Sequence, residues 1–163
     1  EYLSEKNDEE RLAVIATASC SLPVVGKAVK TEDTYYMDGS MTDPIPIQHT
    51  LEKGCERIVL ISTKGEGMDP SDLSKYNWFL RLQYGKKFNP FLKAMKNRLD
   101  LYYKQWELIY DLQKKGNLFL IQPQGEIAIS HLETDRVKLE QMYNSGYTYG
   151  KSIVDDVKKF LAS

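Results

Sequence analysis

Cysteine, histidine and long apolar runs are scarce in this sequence, and each scarcity excludes a class of protein. The 163 residues include only two cysteines, Cys20 and Cys55, and two histidines. The cysteines lack CxxC spacing, which argues against a disulfide scaffold, and we expect two reduced, partly buried thiols. No apolar run approaches the roughly 20 residues of a membrane-spanning helix. No cluster of metal ligands is visible, so we expect neither a metal nor another cofactor.

An excess of charge of either sign is also lacking. The 22 Lys and Arg residues nearly balance the 23 Asp and Glu residues, which gives a net charge of −1. Because the two signs are mixed along the chain, we do not expect it to bind nucleic acid through bulk charge. Apolar residues make up 42% of the sequence, enough to form one sizeable core.

The first part of the sequence predicts a helix, two short strands and a sharp turn. A polar cap and acidic residues in the first turn open the helix at Asn7, and Pro23 ends helical structure. Aromatic and β-branched residues at 24–29 and 34–37 favour strands over helix. The dipeptide Asp38-Gly39 follows directly and predicts a turn.

A short helix and a buried strand are predicted next. Residues 47–53 can form a helix that ends at Gly54, the usual C-terminal glycine. Residues 57–62 then form a continuous apolar strand rather than an alternating one, which is typical of a central strand covered on both faces. This order of elements predicts an α/β sheet.

The rest of the sequence is predicted to be mainly helical. Residues 64–74 predict a loop, helical periodicity continues from there to Lys115, and Gly116-Asn117 ends that helix before a second strand at 118–121. An aromatic and aliphatic stripe along this helix is expected to face the core: Leu99, Tyr102, Tyr103, Trp106, Ile109, Tyr110 and Leu112.

Two helices are predicted to close the chain. They cover residues 134–144 and 147–161, and we expect Gly146 to separate them.

The turn at Asp38 lies in a longer motif that resembles a known family. Residues 35–47 read Tyr-Tyr-Met-Asp-Gly-Ser-Met-Thr-Asp-Pro-Ile-Pro-Ile, and the preceding 18–23 read Ala-Ser-Cys-Ser-Leu-Pro. The helix, glycine and strand of 51–62 follow in order. This arrangement resembles the patatin-like acyl hydrolases, which place an Asp-Gly-Gly or Asp-Gly-Ala turn after a short strand. Asp38, Gly39, Asp43 and Pro46 stand at the matching positions.

The resemblance implies a fold and a division of the chain. We expect the later part of a three-layer α/β/α patatin-like domain, with the strands near 57–62 and 118–122 adjacent or nearly so. Residues 1–66 would belong to the catalytic domain. Residues 67–163 would form a helix-rich C-terminal extension with one added strand, similar to that of one bacterial branch of the family.

The resemblance also implies chemistry. In this family an aspartate takes the proton of a serine that attacks an acyl ester, and no histidine is required. Asp38 would be that general base, in a site that supports the developing oxyanion. Gly39 would permit a backbone geometry that a side chain resists. Ser40 replaces the usual glycine or alanine and could hydrogen-bond Asp38 or tune its basicity.

The serine itself is the main departure. The sequence contains no G-x-S-x-G elbow and no glycine-rich loop for an oxyanion hole. In the family both precede the Asp-Gly turn, so we expect them upstream of Glu1 and expect this chain alone to be inactive. The alternative is a non-catalytic module on a patatin-like frame that binds acyl chains or a partner protein, with Ser40 as its support.

Partners and location follow from these expectations. The substrate would be a lipid or another acyl ester, and the protein would be cytoplasmic with peripheral membrane contact. Trp78, Phe79 and Leu80 are candidates for that contact, in a predicted loop rimmed by basic residues. These basic residues are Lys75, Arg81, Lys86 and Lys87. Ordinary helix packing is the alternative for these aromatics. Without its upstream half, the chain is expected to self-associate through an unpaired strand edge.

Overall fold

The structure is a computed structural model, and it describes residues 9–23, 26–31, 34–65, 77–85, 89–124 and 133–163. Most of these residues are helical. The elements in chain order are α1 (Glu9–Ser19), β1 (Val29–Thr31), β2 (Thr34–Tyr36), a 3₁₀ turn (Gly39–Met41), α2 (Ile47–Glu52), β3 (Ile58–Ile61), α3 (Asn77–Tyr84), α4 (Asn89–Lys114), β4 (Leu118–Ile121), α5 (Arg136–Ser152) and α6 (Val154–Ala162).

These elements group into two compact units. The first consists of residues 1–47 and 70–106, and the second of 48–69 and 107–163, as far as those ranges are described. The boundary between residues 106 and 107 falls inside α4. The mixture of helices and small sheets is compatible with the α/β class. The three-layer arrangement and the division at residue 66 stay predictions.

In the first unit, α1 packs on a small antiparallel hairpin. Strands β1 and β2 pair with Val29 opposite Tyr36 and Thr31 opposite Thr34, and α1 contacts β1. The strand predicted over 24–29 is wrong in its position, because pairing begins only at Val29. Residues 24 and 25 lie outside the described residues.

The core of this unit joins the 3₁₀ turn to α4. Met41 is 2% exposed and forms one apolar cluster with Leu92 and Met95, against which Phe91 packs. A helical period brings residues three apart onto one face, so Leu92 and Met95 can cover the same side chain. The turn that follows β2 is therefore anchored to α4.

In the second unit, β3 and β4 form a parallel pair, in agreement with the expectation that these strands are adjacent or nearly so. Ile58 lies opposite Leu118 and Ile61 opposite Ile121. The Ser62 amide extends the ladder by donating to the Ile121 carbonyl at 2.8 Å. Full burial of β3 was a wrong expectation for this structure, because Ile61 is 71% exposed while Ile58 is buried.

The last helix is tied to the start of β3. Arg57 Nη1 donates to the Phe160 carbonyl at 2.7 Å and to Ser163 Oγ at 2.6 Å. The same guanidinium lies 5.6 Å from the Phe160 ring centroid, and the Phe119 ring lies 5.7 Å from that of Phe160. These contacts hold α6 against the small sheet.

Glycines end two helices as predicted, but not the third. Gly54 and Gly116 have φ of +80° and +77°, the left-handed conformation that closes a helix. Gly146 instead lies inside α5, and the break falls at Ile153. A glycine costs a helix roughly 1 kcal/mol relative to alanine, which weakens the helix without ending it.

Three further expectations are corrected. Trp78 and Phe79 lie on α3 rather than in a loop. In the α4 stripe, Tyr102, Ile109 and Leu112 are buried, but Tyr103 and Tyr110 are exposed. Both cysteines are free, as expected, but exposed rather than partly buried.

Two predictions concern residues that lie wholly or partly outside the described ones. The predicted loop at 64–74 lies mostly outside the described residues, as do the side chain of Leu80 and the basic residues Lys75, Lys86 and Lys87. None of the described helices is long and apolar enough to cross a membrane.

Candidate functional site

Asp38 lies at the start of the 3₁₀ turn, where its side chain acts as a helix cap. Its Oδ1 accepts a hydrogen bond from the Ser40 amide at 2.8 Å. The Asp38 amide donates to the Ser21 carbonyl at 3.1 Å, just after α1. An aspartate that satisfies a free amide at a helix start is held in one orientation. Asp38 is thus fixed through both its backbone and its carboxylate.

The turn continues with short backbone hydrogen bonds. The Thr42 and Asp43 amides both donate to the Gly39 carbonyl, at 3.0 and 2.9 Å. Gly39 does not have a positive φ, and a Cβ built on it meets nothing within 4 Å. We expected Gly39 to permit a backbone geometry that a side chain resists. That expectation is wrong, because a side chain there would meet open space rather than strain.

A cavity opens beside this turn within the first unit. It has a volume of about 490 Å³, inside the roughly 300–1,000 Å³ range of small-molecule pockets. Asp38, Gly39, Ser40 and Asp43 line one part of it. The remaining lining residues are mostly apolar or carry hydroxyls: Ile15, Ala18, Ser19, Thr31, Tyr36, Met37, Thr42, Pro44 and Pro46.

Arg98 of α4 approaches the same turn. Its Nε donates to the Ser40 carbonyl at 2.8 Å, so Ser40 is hydrogen-bonded through its amide to Asp38 and through its carbonyl to Arg98. Burial lowers the pKa of Arg98 below its usual value, and the charges of Asp38 and Tyr102 oppose that shift. A half-buried guanidinium therefore stands in the electrostatic field of the candidate base.

Gln105 holds the other end of the turn. Gln105 is buried, with only 5% of the residue exposed. Its Nε2 donates to Asp43 Oδ1 at 2.5 Å, and its Oε1 accepts from the Ile45 amide at 3.1 Å. One buried amide thus satisfies a carboxylate and a backbone N–H, which fixes the segment that leads to Pro46.

The structure brings together the three residues predicted for the site and adds two. Asp38, Gly39 and Ser40 all line the cavity, while Arg98 and Gln105 were not predicted. The one signal for them in the sequence is their spacing of seven residues on a helix, which places both polar side chains on one face. Among the described residues, no group of three or more potential metal ligands is found.

Comparisons with known proteins divide the chain into two matched regions. Residues 2–51 match the family model of patatin-like phospholipases. Residues 88–162 match the model of a domain of unknown function (DUF6363). No curated protein and no solved structure matches the chain.

The first match contains the whole turn around Asp38 and most of α2. It supports the lipid acyl hydrolase class for this part of the chain, as its resemblance to that family implied. The second match contains α4, α5, α6 and β4, and therefore Arg98 and Gln105.

Proposed function

We propose that this chain carries the base of a Ser-Asp acyl hydrolase that cleaves fatty-acyl esters, such as lipids or lysophospholipids. The observation that supports this most strongly is the Asp38 carboxylate, which the Ser40 amide orients beside the cavity. The patatin-like match over this turn supports the class of reaction.

In the proposed reaction, Asp38 accepts the proton of a serine hydroxyl as the serine oxygen attacks the acyl carbonyl. The proton then passes to the departing alcohol, and water hydrolyses the acyl-serine intermediate by the reverse route. In this proposal the serine comes from sequence upstream of Glu1, as the resemblance to the family implies. The apolar part of the cavity lining suits an acyl chain.

Hydrolysis of acyl esters by the full-length protein tests this proposal. The substrates are p-nitrophenyl esters of increasing acyl length and a lysophospholipid, and fluorescent fatty-acid binding is measured in parallel. We expect turnover by the full-length protein and none by residues 1–163 alone. Fatty-acid binding without turnover by the folded full-length protein would instead favour the non-catalytic module.

Peripheral membrane contact through α3 is a second part of the proposal, together with a cytoplasmic location. Trp78 is 70% exposed, Leu82 is 78% exposed, and they lie one helical turn apart. The charged residues of the segment 73–99 are all basic: Lys75, Arg81, Lys86, Lys87, Lys93, Lys96 and Arg98. Exposed apolar side chains among basic residues suit an anionic membrane surface.

Fractionation of cells tests the cytoplasmic location, and recovery outside the cytoplasm would contradict it.

Self-association of the isolated chain is a third part of the proposal. Among the described residues, β3 and β4 pair only with each other, and Ile61 is largely exposed. Unpaired strand edges of this kind invite pairing with a second copy. We expect light scattering at high concentration to show dimers or larger species, and Ile61→Lys to reduce them. The control Val137→Lys changes an exposed residue on α5, and a clean monomer for the unmodified chain would contradict the proposal.

A further inference from the structure

One face of α4, within residues 89–106, contacts the Asp38 turn at three points. Arg98 meets the carbonyl of Ser40, the Leu92 and Met95 side chains cover Met41, and Gln105 meets Asp43 and Ile45. The hydrogen bonds among these contacts join residues 58 to 62 positions apart in the sequence, and all of the contacts lie within the first compact unit.

The contact at Arg98 acts on the orientation of Asp38. Arg98 Nε fixes the carbonyl of Ser40, and the amide of the same residue donates to Asp38 Oδ1. Arginine presents its donors in a rigid planar fork, so one good hydrogen bond also fixes the position of the remaining charge. Here that charge interacts with Asp38.

The contact at Gln105 acts on the end of the turn. The orientation of its amide is determined by its partners, because the Asp43 carboxylate can only accept and the Ile45 amide can only donate. A buried amide that loses either partner leaves a polar group unsatisfied, which is costly. Gln105 therefore specifies one arrangement of residues 43–45.

We propose that Arg98 and Gln105 are positioning residues, and that residues 89–106 of α4 brace the Asp38 turn for catalysis. This inference rests on the proposed function and gives a role to part of the region that matches a domain of unknown function. Neither residue needs to touch the substrate. Their effect is on the geometry of Asp38, since a misplacement of about 1 Å at a reacting group can lower a rate by about 100-fold.

Steady-state kinetics of the full-length protein on a soluble p-nitrophenyl ester provide the first test. We expect Arg98→Met and Gln105→Met to lower kcat by roughly 10- to 100-fold, with a change in KM below about 2-fold. Arg98→Lys, which keeps the charge but not the planar fork, should recover part of that loss. The control Lys104→Met changes an exposed residue of the same helix and should leave kcat unchanged. A loss confined to KM, or no loss, would overturn the proposal.

Hydrogen exchange in the same full-length variants provides a test that does not need activity. In Gln105→Met the Ile45 amide loses its acceptor. In Arg98→Met the Ser40 carbonyl loses its donor, which loosens the residue whose amide donates to Asp38. We expect exchange at 40–45 to accelerate by about 10-fold or more, with little change in β3 and β4.

The two tests separate the brace from the chemistry. If the unmodified protein hydrolyses no ester but the variants show accelerated exchange at 40–45, the proposed reaction fails and the brace stands. Unchanged exchange at 40–45 in the folded variants would refute the brace, whatever the kinetics show. If Arg98→Met does not fold, Arg98→Lys and Gln105→Met carry both tests.

Discussion

Replacing Asp38 by asparagine should lower kcat of the full-length protein for ester hydrolysis by about 100- to 10,000-fold, the range of general-base contributions. Asparagine has nearly the same shape, and its Oδ1 can still accept the Ser40 amide that caps the turn. The change therefore removes the ability to take a proton while it preserves the hydrogen bond that holds the turn. Steady-state kinetics with circular dichroism and thermal unfolding measure the two effects separately.

The matched control for this variant is Asp100→Asn. Asp100 is an exposed residue of α4, so the same chemical change there should leave kcat within about 2-fold and the stability within about 0.5 kcal/mol. A loss below about 3-fold for Asp38→Asn, in a protein that still hydrolyses esters, would mean that another group accepts the proton.

The second large effect is expected at a membrane surface. Combined replacement of Trp78 and Leu82 by alanine should weaken binding to vesicles that contain anionic lipid by roughly 10- to 100-fold. Each such side chain contributes about 1.5–3 kcal/mol when fully buried, and less when it enters only the head-group region. Sedimentation with vesicles of mixed phosphatidylcholine and phosphatidylserine measures the change.

Two controls distinguish specific binding through α3 from nonspecific adsorption to vesicles. Combined replacement of Tyr143 and Leu161 by alanine removes an aromatic and an aliphatic side chain that are also exposed, and it should leave binding unchanged. Raising the salt concentration should weaken binding of the unmodified protein, because the attraction to basic residues is screened. Equal loss in both double variants would contradict a specific role for α3.

Local patterns in the sequence predicted most elements of the fold. Strands β3 and β4 were each predicted from a continuous apolar run, and the ends of α2 and α4 from Gly54 and Gly116. The runs and the glycines are local signals, whereas the pairing of β3 with β4 joins distant residues, such as Ile58 and Leu118, and was implied by the resemblance to the family. The prediction that Gly146 separates two helices was wrong, because glycine ends a helix only when its backbone adopts the left-handed conformation.

The candidate site was predicted in part. The Asp38-Gly39-Ser40 turn was found from the motif and its neighbours, and the structure places it beside a cavity. Arg98 and Gln105 could not be found this way, because their partners lie about 60 residues away and no local pattern specifies that pairing. On a helical wheel the two residues look like polar interruptions of an apolar face, and only the three-dimensional structure shows what they bind.

The two matched regions of the chain meet at this turn. Asp38 lies in the region that matches patatin-like phospholipases. The helix that contacts its turn lies in the region that matches a domain of unknown function. A catalytic aspartate on a short turn needs such support, because its carboxylate must stay within about 2.6–3.2 Å of the nucleophile. The chain thereby combines a candidate base with its structural support in one compact unit.

The most direct test of the Ser-Asp proposal is fluorophosphonate labelling of the full-length protein, with the adduct located by mass spectrometry. We expect one modified serine, located outside residues 1–163, whose labelling is strongly reduced by Asp38→Asn and unaffected by Asp100→Asn. Absence of any adduct on the folded protein, or an adduct whose formation does not depend on Asp38, would contradict it.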